Sequence, residues 1–230
     1  SVSKNPAKYQ MRAQEIQPKP HLYLDMDGVQ ADFFTAWAKW HAKKHNQPDV
    51  ARYKDIGDKA AREISVKELS SQGPEFVEEF FATLDPLPGG EQLVDWLLQN
   101  EIPFSVLSAP LRDNEAASVA GKKTWLMNHK LGNVPAHFTS NKFTYATKGG
   151  QQNILVDDYK KYVGEWQAAG GIAILYRDAN VDAVIKRLAE IYQVNSQNND
   201  ALDEEQIDEY SYIGDYRIND YLEAKGYKLI

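Results

Sequence analysis

Short runs of apolar residues alternate along the chain with stretches in which apolar residues recur every three or four positions. The runs are "HLYLD" (21–25), "FSVLS" (104–108), "NILVDD" (153–158) and "GIAILY" (171–176), each with the length and composition of a buried strand. The clearest helical stretch is 181–192, where Val181, Val184, Ile185, Leu188, Ile191 and Tyr192 share one face. A second is "EQLVDWLLQN" (91–100), with Leu93, Trp96 and Leu97 on its apolar side. Strands that are apolar throughout, set between amphipathic helices, predict a parallel sheet covered on both faces. The expected fold class is therefore α/β, with a doubly wound parallel sheet.

One region breaks the alternation. Between residues 32 and 84 no strand pattern is found, but helical segments are, among them "DFFTAWAKWHAKKH" and "PEFVEEFFATL"; the run ends in the proline and glycine punctuation of "DPLPGG" (85–90). An insertion directly after the first strand would sit over that strand's carboxyl end, and it is expected to form a small helical cap. The predicted organisation is an N-terminal extension over 1–20, a core formed by 21–31 and 85–194, the cap over 32–84, and a tail over 195–230.

The 230 residues, 43% of them hydrophobic, suffice for a sizeable core, and the net charge of −7 changes meaning once it is located. Residues 196–210 hold six acidic side chains and no basic ones, so the remainder sums to −1 and the acidity belongs to a solvated tail. The absence of cysteine excludes thiolate catalysis, disulfides and cysteine-ligated zinc. No run of about 18 apolar residues predicts a membrane span, and the first twenty residues lack the apolar centre of a secretory signal, so a cytoplasmic location is expected. No basic stripe with interleaved aromatics marks a nucleic-acid surface.

Candidate chemistry starts at "HLYLDMDGVQADF" (21–33), where an apolar run delivers Asp25 and Asp27 to one place. Ligands of open α/β sheets bind outside the carboxyl ends of the strands. Residues i and i+2 of an extended chain point the same way, so the two carboxylates are expected to share a small volume. Their repulsion calls for a divalent cation, and Mg2+ suits a site of one or two carboxylates, water and substrate phosphate. Gly28 then permits a sharp turn. A calcium loop starting at Asp25 fails on spacing, because Gln30 and Ala36 stand where glycine and glutamate are needed. His41 and His45 lie one helical turn apart, but Ala42 occupies the place where a zinc protease has glutamate, and the pair reads as a surface feature. There is no dinucleotide fingerprint and no Walker loop.

Preceded by its apolar strand, "DMDGVQADF" resembles the first motif of the haloacid dehalogenase superfamily, and within it that of the 5′(3′)-deoxyribonucleotidases and related phage and bacterial phosphatases. "FFATLDPLPGG" (80–90) is similar to the family's return from cap to core, "SVLSAP" (105–110) to its second motif, and "ILVDDYKKYVGEWQAAGGIAILY" (154–176) to its fourth motif and the segment beyond. The resemblance implies that Asp25 is a nucleophile forming an aspartyl phosphate and that Asp27 is the acid and base. Ser108 would bond the transferring phosphoryl group. Asp157 and Asp158 would complete a Mg2+ shell with Asp25 and the backbone carbonyl of Asp27. It also implies a phosphate-binding lysine, either Lys142 in "SNKFTYA", which is preferred, or Lys148. An acid at position 27 favours a phosphatase over the superfamily's dehalogenases and transport ATPases.

Departures from the pattern bear on the substrate. Gln30 replaces the usual leucine of the close relatives, and Ala109 replaces a serine that follows the second-motif hydroxyl residue. The resemblance places Phe33 and Ala109 at the substrate, with Phe33 stacking on a base. The expected activity is a Mg2+-dependent phosphomonoesterase acting on (deoxy)nucleoside monophosphates. A phosphatase of sugar or other metabolite phosphates, or of polynucleotide 3′ ends, would use the same core residues. A binding module whose tail docks a partner is the remaining alternative.

Overall fold

The computed structural model of the protein describes residues 19–46 and 57–194, and the predicted tail (195–230) lies outside them, as does all of the N-terminal extension but Lys19 and Pro20. The strands, in chain order, are β1 (Leu22–Leu24), β2 (Phe104–Ser108), β3 (Ala136–Phe138), β4 (Thr147–Lys148), β5 (Gln151–Gln152), β6 (Ile154–Asp157) and β7 (Ile172–Leu175). Five make one parallel sheet in the order β3-β2-β1-β6-β7, and β4 pairs with β5 in an antiparallel hairpin. The helices are α1 (Phe33–Lys44), α2 (Gly57–Ser70), α3 (Pro74–Ala82), α4 (Pro88–Gln99), α5 (Glu115–Asn128), α6 (Lys160–Ala168) and α7 (Val181–Tyr192).

The alternation of side chains along each strand builds two cores. Leu22 and Leu24, Phe104 and Val106, and Ile154 and Val156 enter the larger one, with Trp96 of α4, Trp125 of α5 and Leu188 of α7. Tyr23, Leu107 and Leu155 face the other way and pack with Trp166 of α6. The sheet is thus apolar on both faces, as the continuous apolar runs require, and the fold is the doubly wound parallel α/β class.

Helices α1, α2 and α3 all fall between β1 and α4. The chain leaves and re-enters the core side by side: Asp32 N donates to Asp85 O at 2.8 Å, and Leu87 N donates to Gln30 O at 2.8 Å. Asp32 also caps α1, its Oδ1 accepting from Thr35 N at 3.2 Å. Close packing fastens α3 to α5 at Gly121, where a β-carbon would overlap Glu78 O and meet Phe81 Cβ at 2.9 Å.

Candidate active site

Strand register explains which residues meet. Leu24 is level with Val106 and with Val156, so Asp25 follows β1 level with Asp157, the last residue of β6, while Ser108 ends β2 one residue further on. Because the strands are parallel, all three arrive at the same edge of the sheet. Beyond Asp25 the chain turns tightly: Met26 O accepts from Gln30 N at 2.8 Å and from Ala31 N at 2.9 Å. Gly28 has φ +78°, and a β-carbon there would overlap the Asp158 carboxylate. A residue other than glycine would meet both backbone strain and that carboxylate.

Asp25, Asp157 and Asp158 each present a carboxylate oxygen within 4.8 Å of the other two, and all three residues are buried. The fully buried ammonium of Lys142 lies 2.8 Å from Asp25 Oδ1 and 2.6 Å from Asp157 Oδ2. Burial works against the charge of Lys142, but Asp157 and Asp25 outweigh it and hold its pKa well above the usual lysine range. Its ammonium also stands over the Tyr162 ring, 4.6 Å from the centroid. Lys148, the other lysine considered, is exposed in the β4–β5 hairpin.

The first-motif carboxylates do not share one partner. Strand β1 ends at Leu24 and the chain bends at Met26, so the extended geometry expected over 25–27 is not kept. Asp27 turns instead to Lys122 of α5, whose Nζ donates to Asp27 Oδ2 at 2.7 Å, Ser108 Oγ at 2.9 Å and Ala109 O at 2.7 Å. Burial pushes the Asp27 carboxyl up, and the nearby Lys122 does not cancel that push. The site therefore has two halves, each a carboxylate set on a buried lysine.

Burial is also the largest cause raising Asp157, to about 7, and Asp158, with the neighbouring Asp25 adding repulsion in both. Asp158 Oδ2 pairs with the guanidinium of Arg62, which α2 brings in between the rings of Phe34 and Tyr159, 4.6 and 4.4 Å from their centroids. Asp158 Oδ1 and Asp27 Oδ1 are buried without a hydrogen-bond partner. Three clustered carboxylates with an orphaned buried oxygen are a donor set that suits a hard divalent cation, so the residues present fit such an ion.

Gln30 is 2% exposed, and its side-chain amide donates to Asp25 O at 2.8 Å, bracing the turn that carries Asp25. Phe33 is 7% exposed and packs among Phe34, Phe80 and Phe81, its centroid 5.9 Å from that of Phe81 in a stacked arrangement.

Sequence reasoning missed Lys122 and Arg62. The buried residues of α5 are Ala117, Ser118, Gly121, Lys122, Trp125 and Leu126, a helical stripe in which Lys122 is the one charged member. A lysine in phase with an apolar face is the signal that would have found it. Arg62 lies beside buried Ala61 and Ser65 on α2, and the sequence carries no spacing that ties it to Asp158.

A parallel α/β core with acidic side chains gathered at the carboxyl ends of β1 and β6, beneath helices inserted after β1, defines a hydrolase of the haloacid dehalogenase type. The model of one protein family, described as "5' nucleotidase, deoxy (Pyrimidine), cytosolic type C protein", matches residues 19–202. The chain belongs to that family and is a phosphoric monoester hydrolase. No curated protein matches it. Among solved structures, it is similar to a haloacid dehalogenase family hydrolase from Deinococcus radiodurans with bound phosphate and sodium, at 13% identity and a TM-score of 0.45 over 77% of this chain and 98% of that one. A phosphonoacetaldehyde hydrolase like protein from Oleispira antarctica is 15% identical, with a TM-score of 0.41 over 84% of this chain and 82% of that one. A hydrolase from Streptococcus pneumoniae is 14% identical, with a TM-score of 0.42 over 73% and 99%. Among the described residues, no helix is long and apolar enough to cross a membrane.

Proposed function

We propose that this enzyme is a Mg2+-dependent, cytoplasmic phosphatase of (deoxy)nucleoside monophosphates that works through an aspartyl phosphate on Asp25. The observation that carries the reading is the division of the site into a metal-suited half, Asp25 with Asp157, Asp158 and Lys142, and an acid half, Asp27 with Lys122 and Ser108. The family's description supports a nucleotide as substrate.

In the first step a carboxylate oxygen of Asp25 forms a bond to phosphorus as the ester oxygen leaves. Asp27 gives that oxygen its proton, and a carboxyl held above the ordinary range by burial is suited to keep the proton until then. In the second step Asp27 takes a proton from water, the water oxygen bonds to phosphorus, and Asp25 is released with inorganic phosphate. Lys142 and the hydroxyl of Ser108 hold the phosphoryl oxygens while this occurs, and Lys122, whose three N–H donors go to Asp27, Ser108 and Ala109, holds the acid and that hydroxyl in position. Asp25, Asp157, Asp158 and the backbone carbonyl of Asp27 would hold Mg2+, which would supply Lewis-acid stabilisation of the charge on the phosphoryl oxygens. Gln30 fixes the direction of Asp25, and Ala109 shapes the pocket beside Ser108. The base lies against the cap aromatics, with Phe33 lending its support to that wall.

A panel of phosphate esters assayed with Mg2+ tests the substrate assignment. Nucleoside monophosphates are expected to exceed ribose and glycerol phosphates in kcat/KM, because binding energy remote from the phosphate positions it. Better hydrolysis of sugar phosphates than of every nucleotide would reject the nucleotide reading while leaving the roles of Asp25 and Asp27 in place.

A further inference from the structure

A second cluster of metal-ligating side chains lies outside the site described above. His41 and His45 stand four residues apart on α1, so both rings project from one helix face, their centroids 4.3 Å apart. Glu68 of α2 meets both, Oε2 at 2.6 Å from His41 Nδ1 and Oε1 at 2.8 Å from His45 Nε2. The indole Nε1 of Trp37, one turn earlier on α1, donates to Glu68 Oε2 at 3.2 Å. One ligand atom from each of His41, His45 and Glu68 lies within 4.8 Å of the other two. The side chains of His41 and Glu68 are 13% and 15% exposed and that of His45 is 41% exposed, so the cluster is enclosed between the helices and open to solvent on one side. Burial raises the Glu68 carboxyl, but the hydrogen bonds from His41 and His45 prevail and hold it below the ordinary range.

Two imidazole nitrogens and one carboxylate oxygen suit a first-row divalent transition ion far better than Mg2+, which prefers hard oxygen ligands. The histidine spacing of i and i+4 is one that presents two rings to a single ion. The glutamate differs from that of a zinc protease, since it comes from the neighbouring helix and is itself a ligand.

We propose that His41, His45 and Glu68 form a second metal site that takes Zn2+ or a similar first-row divalent ion, with water in the remaining position, and clasps α1 to α2. On binding, each ring turns the lone pair of the nitrogen now facing Glu68 to the ion, and the proton there moves to the other ring nitrogen or to solvent. Helix α2 also delivers Arg62 to Asp158, six residues before Glu68, so the ion fixes the helix that closes one side of the active site.

The test uses the full chain, stripped of metal by chelation and then kept in excess Mg2+ so that the aspartate cluster is served. Zn2+ is titrated by calorimetry, and Co2+ serves as a spectroscopic probe. The expected result is one saturable Zn2+ site whose occupancy raises the Tm, with Co2+ giving the strong visible bands of a low-coordinate site with imidazole ligands. His45→Ala and Glu68→Gln should each weaken Zn2+ binding on the order of tenfold or more, and Asp157→Asn should leave it unchanged. His45 is the most exposed ligand, so circular dichroism of His45→Ala separates lost binding from lost fold. Absence of saturable Zn2+ binding in the wild-type chain, or binding that survives both His45→Ala and Glu68→Gln, overturns the proposal.

Discussion

Removing the Lys142 ammonium would leave the carboxylates of Asp25 and Asp157 buried without the cation that touches both. Lys142→Ala is expected to cost about 3–5 kcal/mol of stability in metal-free protein, with Mg2+ restoring part of it, as measured by urea denaturation. Lys148→Ala, at an exposed position, should change stability by no more than about 0.5 kcal/mol. For Phe33 the packing argues for a structural loss: Phe33→Ala should cost about 3–5 kcal/mol and lower activity on nucleotides and small phosphate esters alike. A loss confined to nucleotides would instead put Phe33 in contact with the base. At this scale Asp25, Ser108, Asp157 and Asp158 were legible because each ends or directly follows an apolar run, and a parallel sheet brings such ends together. Lys122 and Arg62 were not, because helices distant in sequence deliver them and no local pattern records the distance.

Two glycines show how elements position the site. Gly28→Ala would force a side chain into the left-handed region and against Asp158. It should lower Mg2+ affinity and activity together, which calorimetry and a phosphatase assay can compare. Gly121→Ala would push α5 away from α3 at the residue before Lys122, and overpacking of this kind costs about 1–3 kcal/mol. A drop in Tm with kcat reduced more than KM is expected, because Lys122 moves relative to Asp27. The long amphipathic helix 181–192 and the four apolar strands were readable from periodicity. Strand β3 was not, since Ala136, His137 and Phe138 form a three-residue, half-buried edge with no apolar run. The β4–β5 hairpin escaped for a similar reason, having two polar residues per strand and Gly149 and Gly150 at its turn.

For the whole molecule, gathering four carboxylates at one sheet edge makes stability depend on pH and on metal. Burial raises Asp157 from its ordinary 3.8 to about 7, so between those values the folded chain holds a proton that the unfolded chain has lost. Its contribution is complete below about pH 4 and is lost as pH rises through about 7. Metal-free protein should therefore have a higher Tm at pH 5 than at pH 8, Mg2+ should narrow the difference, and Asp157→Asn should reduce it, with the rest carried by Asp27 and Asp158, which burial raises in the same direction. The central claim, that Asp25 carries the phosphoryl group, is tested most directly by mixing the enzyme with a deoxynucleoside monophosphate and Mg2+, quenching in acid within a turnover, and mapping phosphorylated peptides by mass spectrometry. The expected result is one phosphoryl group on Asp25 in the wild-type chain and none in Asp25→Asn. Full turnover without any adduct on Asp25, together with an Asp25→Asn variant that keeps more than about a tenth of the activity, would contradict it.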